Sequence, residues 1–355
     1  MLPEICLGLV IAGITAYATF GGADFGAGFW DLTAGGAKRG GRVRGMVQYS
    51  MSPVWEANHV WLIFVLVLMW TCFPVAFGSI FSTLYVPLFI VVIGIIFRGT
   101  AFALRGQAAT IGEARFIGAT FATSSVLVPF CFGACLGAIA SGRVPVGNAA
   151  GDPICSWLSP TGILIGVLAV VSGAYLAAVY MAGDSVRAGL PDLARAFRAR
   201  ALIAGGLAGV IAIGGLAVLH DDARPLFDGL TSGGGLAFVI ASALAGGATL
   251  MLVWRERYEI ARFSAAAAVA CVTIGWAFAQ SPYLLPDQLT LDQAAAPDAT
   301  LVASLISVAA GLIVLVPSLY LLYSLTLRGR LAHEYEPLDQ RFQPLGGDDS
   351  AGGGA

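Results

Sequence analysis

Charged side chains are scarce in this chain. Only 11% of its 355 residues are charged, whereas a soluble globular domain carries about 25%. Hydrophobic residues make up 58% of the sequence, and the mean hydropathy is +0.83. This composition excludes an ordinary soluble domain and predicts an integral membrane protein. The net charge of −2 gives no reason to expect nucleic acid as a partner.

The sequence also lacks the patterns of metal and nucleotide sites. It has no CxxC pair, no P-loop, no HExxH and no GxGxxG after a strand. Haem needs His, Met or Cys ligands on facing helices, but two of the three histidines, His220 and His333, fall in a linker and the tail. Cys131 and Cys135, one turn apart in CFGAC, are interpreted as small apolar residues of a helix interface. We assign no disulfide and expect no metal or redox centre bound by this chain's own ligands.

Nine apolar runs are long enough to cross a membrane, which takes about 20 residues per helix. Lipid offers no partner for a free backbone group, so each run must be helical. Leu2, Pro3 and Glu4 stand where a cleavable signal peptide has basic residues, so we expect the first run to remain as an anchor. The linkers are mostly short, which leaves no separate soluble domain. The predicted spans cover residues 3–23, 50–71, 77–97, 116–140, 160–182, 201–219, 234–254, 263–280 and 301–325.

Basic residues predict the orientation of these spans, because Lys and Arg collect in cytoplasmic loops. All of the 19 Lys and Arg except Arg143 and Arg224 fall on one side of a nine-span chain. The other side carries mostly acidic residues. We therefore expect the N-terminus outside and the C-terminus in the cytoplasm. The tail, which ends GGDDSAGGGA, is polar and rich in glycine, and it is predicted to be disordered.

Three ionisable residues are predicted to lie in one layer inside the membrane. An ionisable group at mid-span costs at least about 2.5–3.5 kcal/mol, so it usually has a partner or a function. Asp24 is near the inner end of the first span, Glu56 is early in the second, and Arg98 closes the third. At 1.5 Å per residue, Asp24 and Glu56 come to the same depth. The predicted layer thus holds two acids and one arginine.

Glu56 and His59 are three residues apart, so they share a helical face and could form a hydrogen bond; Trp55 and Asn58 flank them. A carboxylate beside an imidazole can pass protons, since each group accepts and releases a proton near neutral pH. The functional interpretation is the inner mouth of a proton path, with Asp24, Glu56 and His59 as proton-transfer candidates. The alternative is an acid that Arg98 neutralises for structural reasons. One arginine could not neutralise both acids, which favours the proton path.

Gly22 and Gly26 form a small-xxx-small pair that lets another helix backbone approach closely. The functional interpretation is a helix crossing that brings Asp24 near a partner. The alternative is ordinary packing between helices, with Asp24 as a local cap. The glycines by themselves favour ordinary packing.

Four stretches resemble subunit II of the cytochrome bd quinol oxidases: GADFGAGFWDL (22–32), SPVWEANHVWLIF (52–64), FSTLYVPL (81–88) and IIFRGTAF (95–102). Later segments agree, among them PSLYLLYSLTLRGR (317–330). The resemblance implies an all-α fold of two four-helix bundles and one peripheral helix. On this basis we expect a first bundle in residues 1–140, a second in 141–280, an outer loop with the ninth helix in 281–330, and a disordered cytoplasmic tail in 331–355.

The resemblance further implies a haem-free chain of the bacterial inner membrane, paired with a subunit I. In that family, subunit I carries the quinol site, two haems b and one haem d, and the complex reduces O2 to water with protons from the cytoplasm. Some members add a small single-span subunit or hold a structural quinone. Glu56 takes the place of the family's acid after the second-span tryptophan, Asp24 matches the first-span acid, and Arg98 matches the Phe-Arg pair.

The chain departs from the enteric-type members at three positions. It has Glu instead of Asp at 56, His instead of Gln at 59, and one acid instead of two in the first-span motif. These changes keep proton chemistry feasible. Two other hypotheses stay open: a stand-alone transporter with Asp24, Glu56, His59 and Arg98 as its coupling site, and a scaffold whose acids are structural. A haem-bearing partner that copurifies with the chain would separate an oxidase subunit from a transporter.

Overall fold

The computed structural model describes residues 1–35, 37–51, 55–105 and 110–327. Almost all of this part of the chain is helical. In chain order the elements are α1 (Leu2–Ala16), a π-helix (Tyr17–Gly21), α2 (Gly22–Leu32), α3 (Ala37–Met51), α4 (Trp55–Cys72), α5 (Pro74–Thr83), α6 (Tyr85–Leu104), α7 (Ile111–Ala140), α8 (Pro160–Arg187), α9 (Pro191–Asp222), α10 (Arg224–Leu230), α11 (Gly233–Trp254), α12 (Tyr258–Gln280), β1 (Tyr283–Leu285), β2 (Leu289–Thr290), α13 (Leu291–Ala294) and α14 (Asp298–Leu327).

Within these described ranges, nine helices are long and apolar enough to cross a membrane. They are the continuous run of α1, the π-helix and α2, followed by α4, α6, α7, α8, α9, α11, α12 and α14. The prediction of an all-α protein with nine spans is therefore confirmed. The predicted tail of residues 331–355 lies outside the described residues, as do His333 and the arginines of the tail.

The first span is longer than predicted. It continues from Leu2 to Leu32, whereas hydropathy predicted residues 3–23. Asp24 therefore lies within the span, in the half nearer Leu32, and only the predicted boundary at residue 23 is wrong. Thr19 donates its hydroxyl to the carbonyl oxygens of Thr15 (2.9 Å) and Ala16 (3.0 Å) within the π-helical segment. Such side-chain bonds compete with the regular helix ladder, and they accompany the change of helical pitch here.

Other boundaries differ as well, and one linker is helical. The third span is Tyr85–Leu104 instead of residues 77–97, because Pro74 starts a separate short helix, α5, that ends at Thr83. The linker after the first span, predicted only as a basic loop, forms helix α3. Four apolar side chains of α3 recur at helical spacing and are buried: Val43, Met46, Val47 and Met51.

Helix α8 is the centre of the packing, since it lies against α2, α7 and α9 over long stretches. Helices α11 and α12 form a second extensively packed pair. Helix α14 packs on α4 and α1 and is mostly exposed. Because α2 and α7 both pack on α8, contacts run across residue 140; the division into bundles 1–140 and 141–280 stays a prediction.

The two ends of the helix array differ in charge. The basic end is the one where α2, α6, α8 and α11 finish. Its arginines, each of which forms an ion pair, include Arg42, Arg105, Arg187, Arg198 and Arg262. We call the other the acidic end. The β1–β2 hairpin lies at the acidic end, and Asp222 there accepts hydrogen bonds from both Arg143 and Thr161. The orientation of these ends in the membrane stays a prediction.

Candidate functional site

Asp24 and Asn58 are joined inside the membrane-spanning part. Asp24, on α2, is 5% exposed, and Asn58, on α4, is 2% exposed. The Asn58 Nδ2 group donates a hydrogen bond to Asp24 Oδ2. A buried carboxylate without a donor would be costly, and the amide supplies one without bringing a charge. The sequence predicted Glu56, and not Asn58, as the residue of α4 at the depth of Asp24, so the contact between Asp24 and Asn58 is a finding of the structure.

Arg98 lies in the same layer and is 2% exposed. Among the ion pairs of the described residues, none joins Arg98 to Asp24. Its Nε donates to Ser125 Oγ at 3.1 Å, and Ser125 Oγ donates to the Phe121 carbonyl oxygen at 2.7 Å. The guanidinium carbon lies 4.6 Å from the ring centroid of Phe25 and 5.3 Å from that of Phe121. Two aromatic faces thus stabilise the buried cation, and its charge still interacts with that of Asp24.

His59 faces the first span. Its ring centroid lies 6.2 Å from that of Tyr17 and 6.3 Å from that of Phe25, edge to face in each case. His59 Nδ1 is 2.9 Å from the carbonyl oxygen of Trp55. Because a carbonyl oxygen only accepts, Nδ1 carries the hydrogen in the neutral ring, and Nε2 is the acceptor nitrogen. In the neutral imidazole, Nδ1 is therefore held in a hydrogen bond, and Nε2 can accept a proton.

Glu56 does not join this buried group. Its side chain is exposed on α4, and within the described residues it forms no hydrogen bond or ion pair. The predicted bond between Glu56 and His59 is therefore not formed, since His59 bonds to Trp55 instead. A helix turns about 100° per residue, so a side chain two positions before Asn58 points roughly 160° away from it. Because Asn58 points into the protein, Glu56 points outward, although its three-residue spacing to His59 would allow a hydrogen bond.

Gly22 and Gly26 mark a close crossing with α8 of the same chain. A Cβ on Gly26 would lie 2.6 Å from the backbone nitrogen of Ala174 and nearer still to Gly173. A Cβ on Gly22 would meet only Leu176, at an ordinary 3.8 Å. Ordinary interhelical packing, the alternative that the glycines favoured, accounts for this pair.

A second buried acid was not singled out from the sequence. Asp31, 2% exposed, accepts from Arg44 Nε at 2.9 Å through one oxygen and from Arg105 Nη2 through the other. This ion cluster fastens α3 and the end of α6 to α2. The sequence does contain a sign of this ion cluster, because Asp31 stands near the end of GADFGAGFWDL and arginines follow the first and third spans. Ser125 and Tyr17 were missed as well, since hydroxyls in apolar helices carry no pattern.

The described residues contain no group of three or more His, Cys, Asp or Glu side chains that could hold a metal ion. His59 is half-buried between aromatic rings, and His220 is exposed at the acidic end. The expectation that this chain coordinates no haem stays a prediction.

Comparison with known proteins gives a family match and matches to solved structures. The family model described as cytochrome bd terminal oxidase subunit II matches residues 2–326. The structure of bd oxidase from Geobacillus thermodenitrificans is similar in fold, with a TM-score of 0.71 and 23% identity, over 92% of this chain and 98% of that chain. A search of the curated proteins found no match. With a family match over nearly its whole length, this chain belongs to the family of cytochrome bd terminal oxidase subunit II.

Proposed function

We propose that this chain is the haem-free subunit II of a quinol:oxygen oxidoreductase, stabilising a haem-bearing subunit I and supplying part of its proton-uptake path. The family to which it belongs is part of a terminal quinol oxidase, a haem-containing complex of the bacterial inner membrane. The proton path and the pairing with subunit I are our proposal. So is the orientation, in which the basic end faces the cytoplasm and the N-terminus lies outside.

One observation carries the proposal: Asp24 is buried and bonded to a neutral amide instead of an arginine. Protonation of Asp24 would therefore break no direct ion pair. Asp31 is different, because each of its oxygens is occupied by an arginine. A carboxyl group that accommodates both protonation states suits proton transfer, whereas the Asp31 cluster suits a structural role.

We assign the neighbouring groups the following roles. Arg98 stabilises negative charge on Asp24 from a distance, while Ser125 and two aromatic rings hold its guanidinium in place. His59, through Nε2, is a second acceptor of protons. Glu56, exposed on α4 toward the basic end, would collect protons at the surface or at the contact with subunit I.

Substitutions of Asp24 and Glu56 test the proton path. We expect Asp24→Asn to assemble with normal haem content but to lower quinol-dependent O2 uptake at least about ten-fold, since positioned proton transfer contributes roughly 10²–10⁴-fold. Glu56→Gln should slow O2 uptake by a smaller factor. The matched control is Glu259→Gln, which removes an exposed acid of the same end that pairs with Arg187.

Each result decides between the hypotheses. Full turnover of both variants would refute the proton path. Loss of haem from Asp24→Asn would indicate that the acid is structural. Purification of the native chain alone, without a haem-bearing partner, would refute the oxidase-subunit proposal and favour a stand-alone transporter.

A further inference from the structure

Two buried polar groups beside Asp24 have no hydrogen-bond partner among the protein atoms of the described chain. They are the hydroxyl of Tyr17 and the Nη2 group of Arg98. A buried donor without a partner costs about 1–3 kcal/mol, so native proteins rarely leave one unsatisfied. Two of them in one layer therefore call for a common explanation.

The positions of these groups converge. Tyr17 is the first residue of the π-helix, and its ring lies edge to face with Phe25 at a centroid distance of 6.3 Å. The Arg98 guanidinium carbon lies 4.6 Å from the same Phe25 ring. Tyr17 interacts electrostatically with both Arg98 and Asp24. A phenol and a guanidinium thus both lie against Phe25, the residue that follows Asp24 in α2. The π-helical turn that carries Tyr17 also fits a functional site, because such turns inside α-helices are frequent there.

We infer that Tyr17, Arg98 and Asp24 bind one ordered water molecule, and that Tyr17 positions this water for proton exchange with Asp24. This inference rests on the proposed proton path. The water oxygen accepts from Arg98 Nη2, one water hydrogen is donated to the Asp24 carboxylate, and the Tyr17 hydroxyl makes the third bond. Three hydrogen bonds are typical of a buried water. Arg98 is 2% exposed in this chain, so no group of a partner subunit is needed to satisfy it.

The water would act as a relay. When Asp24 is ionised, the water gives a proton to the carboxylate and takes one from a hydronium ion that arrives along the proposed uptake path, so Asp24 ends protonated and the hydronium ion becomes water. No net charge stays on the water, and no bond other than O–H changes. Tyr17 touches the water and not the substrate, so it is a positioning residue.

The test is Tyr17→Phe in the purified two-subunit complex, because this change removes one oxygen and keeps the ring. The matched control is Tyr175→Phe, since Tyr175 on α8 is also a buried tyrosine but lies outside the Asp24 group. We expect Tyr17→Phe to keep its haem, to lower O2 uptake about three- to ten-fold, and to raise the H2O/D2O rate ratio. Tyr175→Phe should change neither quantity.

The outcomes separate this inference from the proposal on which it rests. If Asp24→Asn slows O2 uptake and Tyr17→Phe does not, the water site is refuted and the proton path stands. If neither variant slows it, the proton path itself fails. Should Tyr17→Phe not assemble, a density map of the wild-type complex that resolves waters decides. A peak within hydrogen-bond distance of Tyr17 Oη and Arg98 Nη2 supports the inference, and an empty map there overturns it.

Discussion

Substitution of Gly26 by alanine should separate the first and fifth spans. The crossing of α2 with α8 has no room for a methyl group, because a Cβ at Gly26 would lie 2.6 Å from the nitrogen of Ala174. Non-bonded heavy atoms prefer about 3.5 Å or more, and the Gly173 carbonyl lies nearer still to this Cβ, so the two backbones would have to part by more than about 1 Å. Backbone atoms of two packed helices cannot yield as a flexible side chain would.

The cost of this separation has two parts. Overpacking a tight contact costs about 1–3 kcal/mol. The parting would also stretch the hydrogen bond from Trp30 Nε1 to the Ala174 carbonyl oxygen, now 2.8 Å long, which is worth about 1 kcal/mol. We therefore expect Gly26→Ala to lower the free energy of unfolding by about 2–4 kcal/mol.

The assay is thermal unfolding of the purified complex, followed by loss of bound haem. Two substitutions in the same span are matched controls. Gly22→Ala would place its methyl group at 3.8 Å from Leu176, and Gly8→Ala would meet nothing within 4 Å. Both should leave the midpoint nearly unchanged, whereas Gly26→Ala should lower it by several degrees. Equal midpoints for all three variants would refute the close crossing as a source of stability.

Two more predictions follow from the ends of the helix array. Asp31→Asn leaves two arginines without their carboxylate and should lower the free energy of unfolding by about 3–5 kcal/mol. Arg42→Gln removes an exposed ion pair and should lower it by only about 0–1 kcal/mol. Equal losses of thermal stability in the two variants would contradict the structural role of Asp31. Cys155 is exposed in the loop between α7 and α8, at the acidic end. If that end lies outside, a membrane-impermeant maleimide added to intact spheroplasts should label the native chain but not Cys155→Ser, and labelling only after lysis would reverse the proposed orientation.

Hydropathy was a reliable guide to the spans but not to what joins them. Each of the nine predicted runs overlaps a spanning helix, because lipid leaves apolar segments no alternative to a helix. Helix α3 was missed because its many basic residues hid a helical pattern in which Val43, Met46, Val47 and Met51 are buried. The first span was predicted too short because the apolar run is interrupted at Asp24, although Asp24 and Asp31 are both buried.

The candidate site was predicted at the level of depth but not of direction. Depth follows from the number of residues along a helix, and it predicted a layer of Asp24, Glu56 and Arg98. The buried polar residues that the structure has there are Asp24, Asn58 and Arg98. Direction depends on which neighbour each helix face meets, and here the prediction for Glu56 failed. The attachment of Arg98 to Ser125 could not be foreseen either, because it depends on the rotation of α6 against α7.

The π-helical turn at Tyr17–Gly21 also bears on how related chains are to be aligned. Such a turn closes its hydrogen bonds one residue later than an α-helical turn, so it amounts to a single inserted amino acid. Deleting one residue from this turn would let α1 and α2 merge while each kept its own neighbours. If a related chain is one residue shorter at this turn, its alignment with this chain needs a one-residue gap within the first span, before Asp24. Only then does its acid align with Asp24.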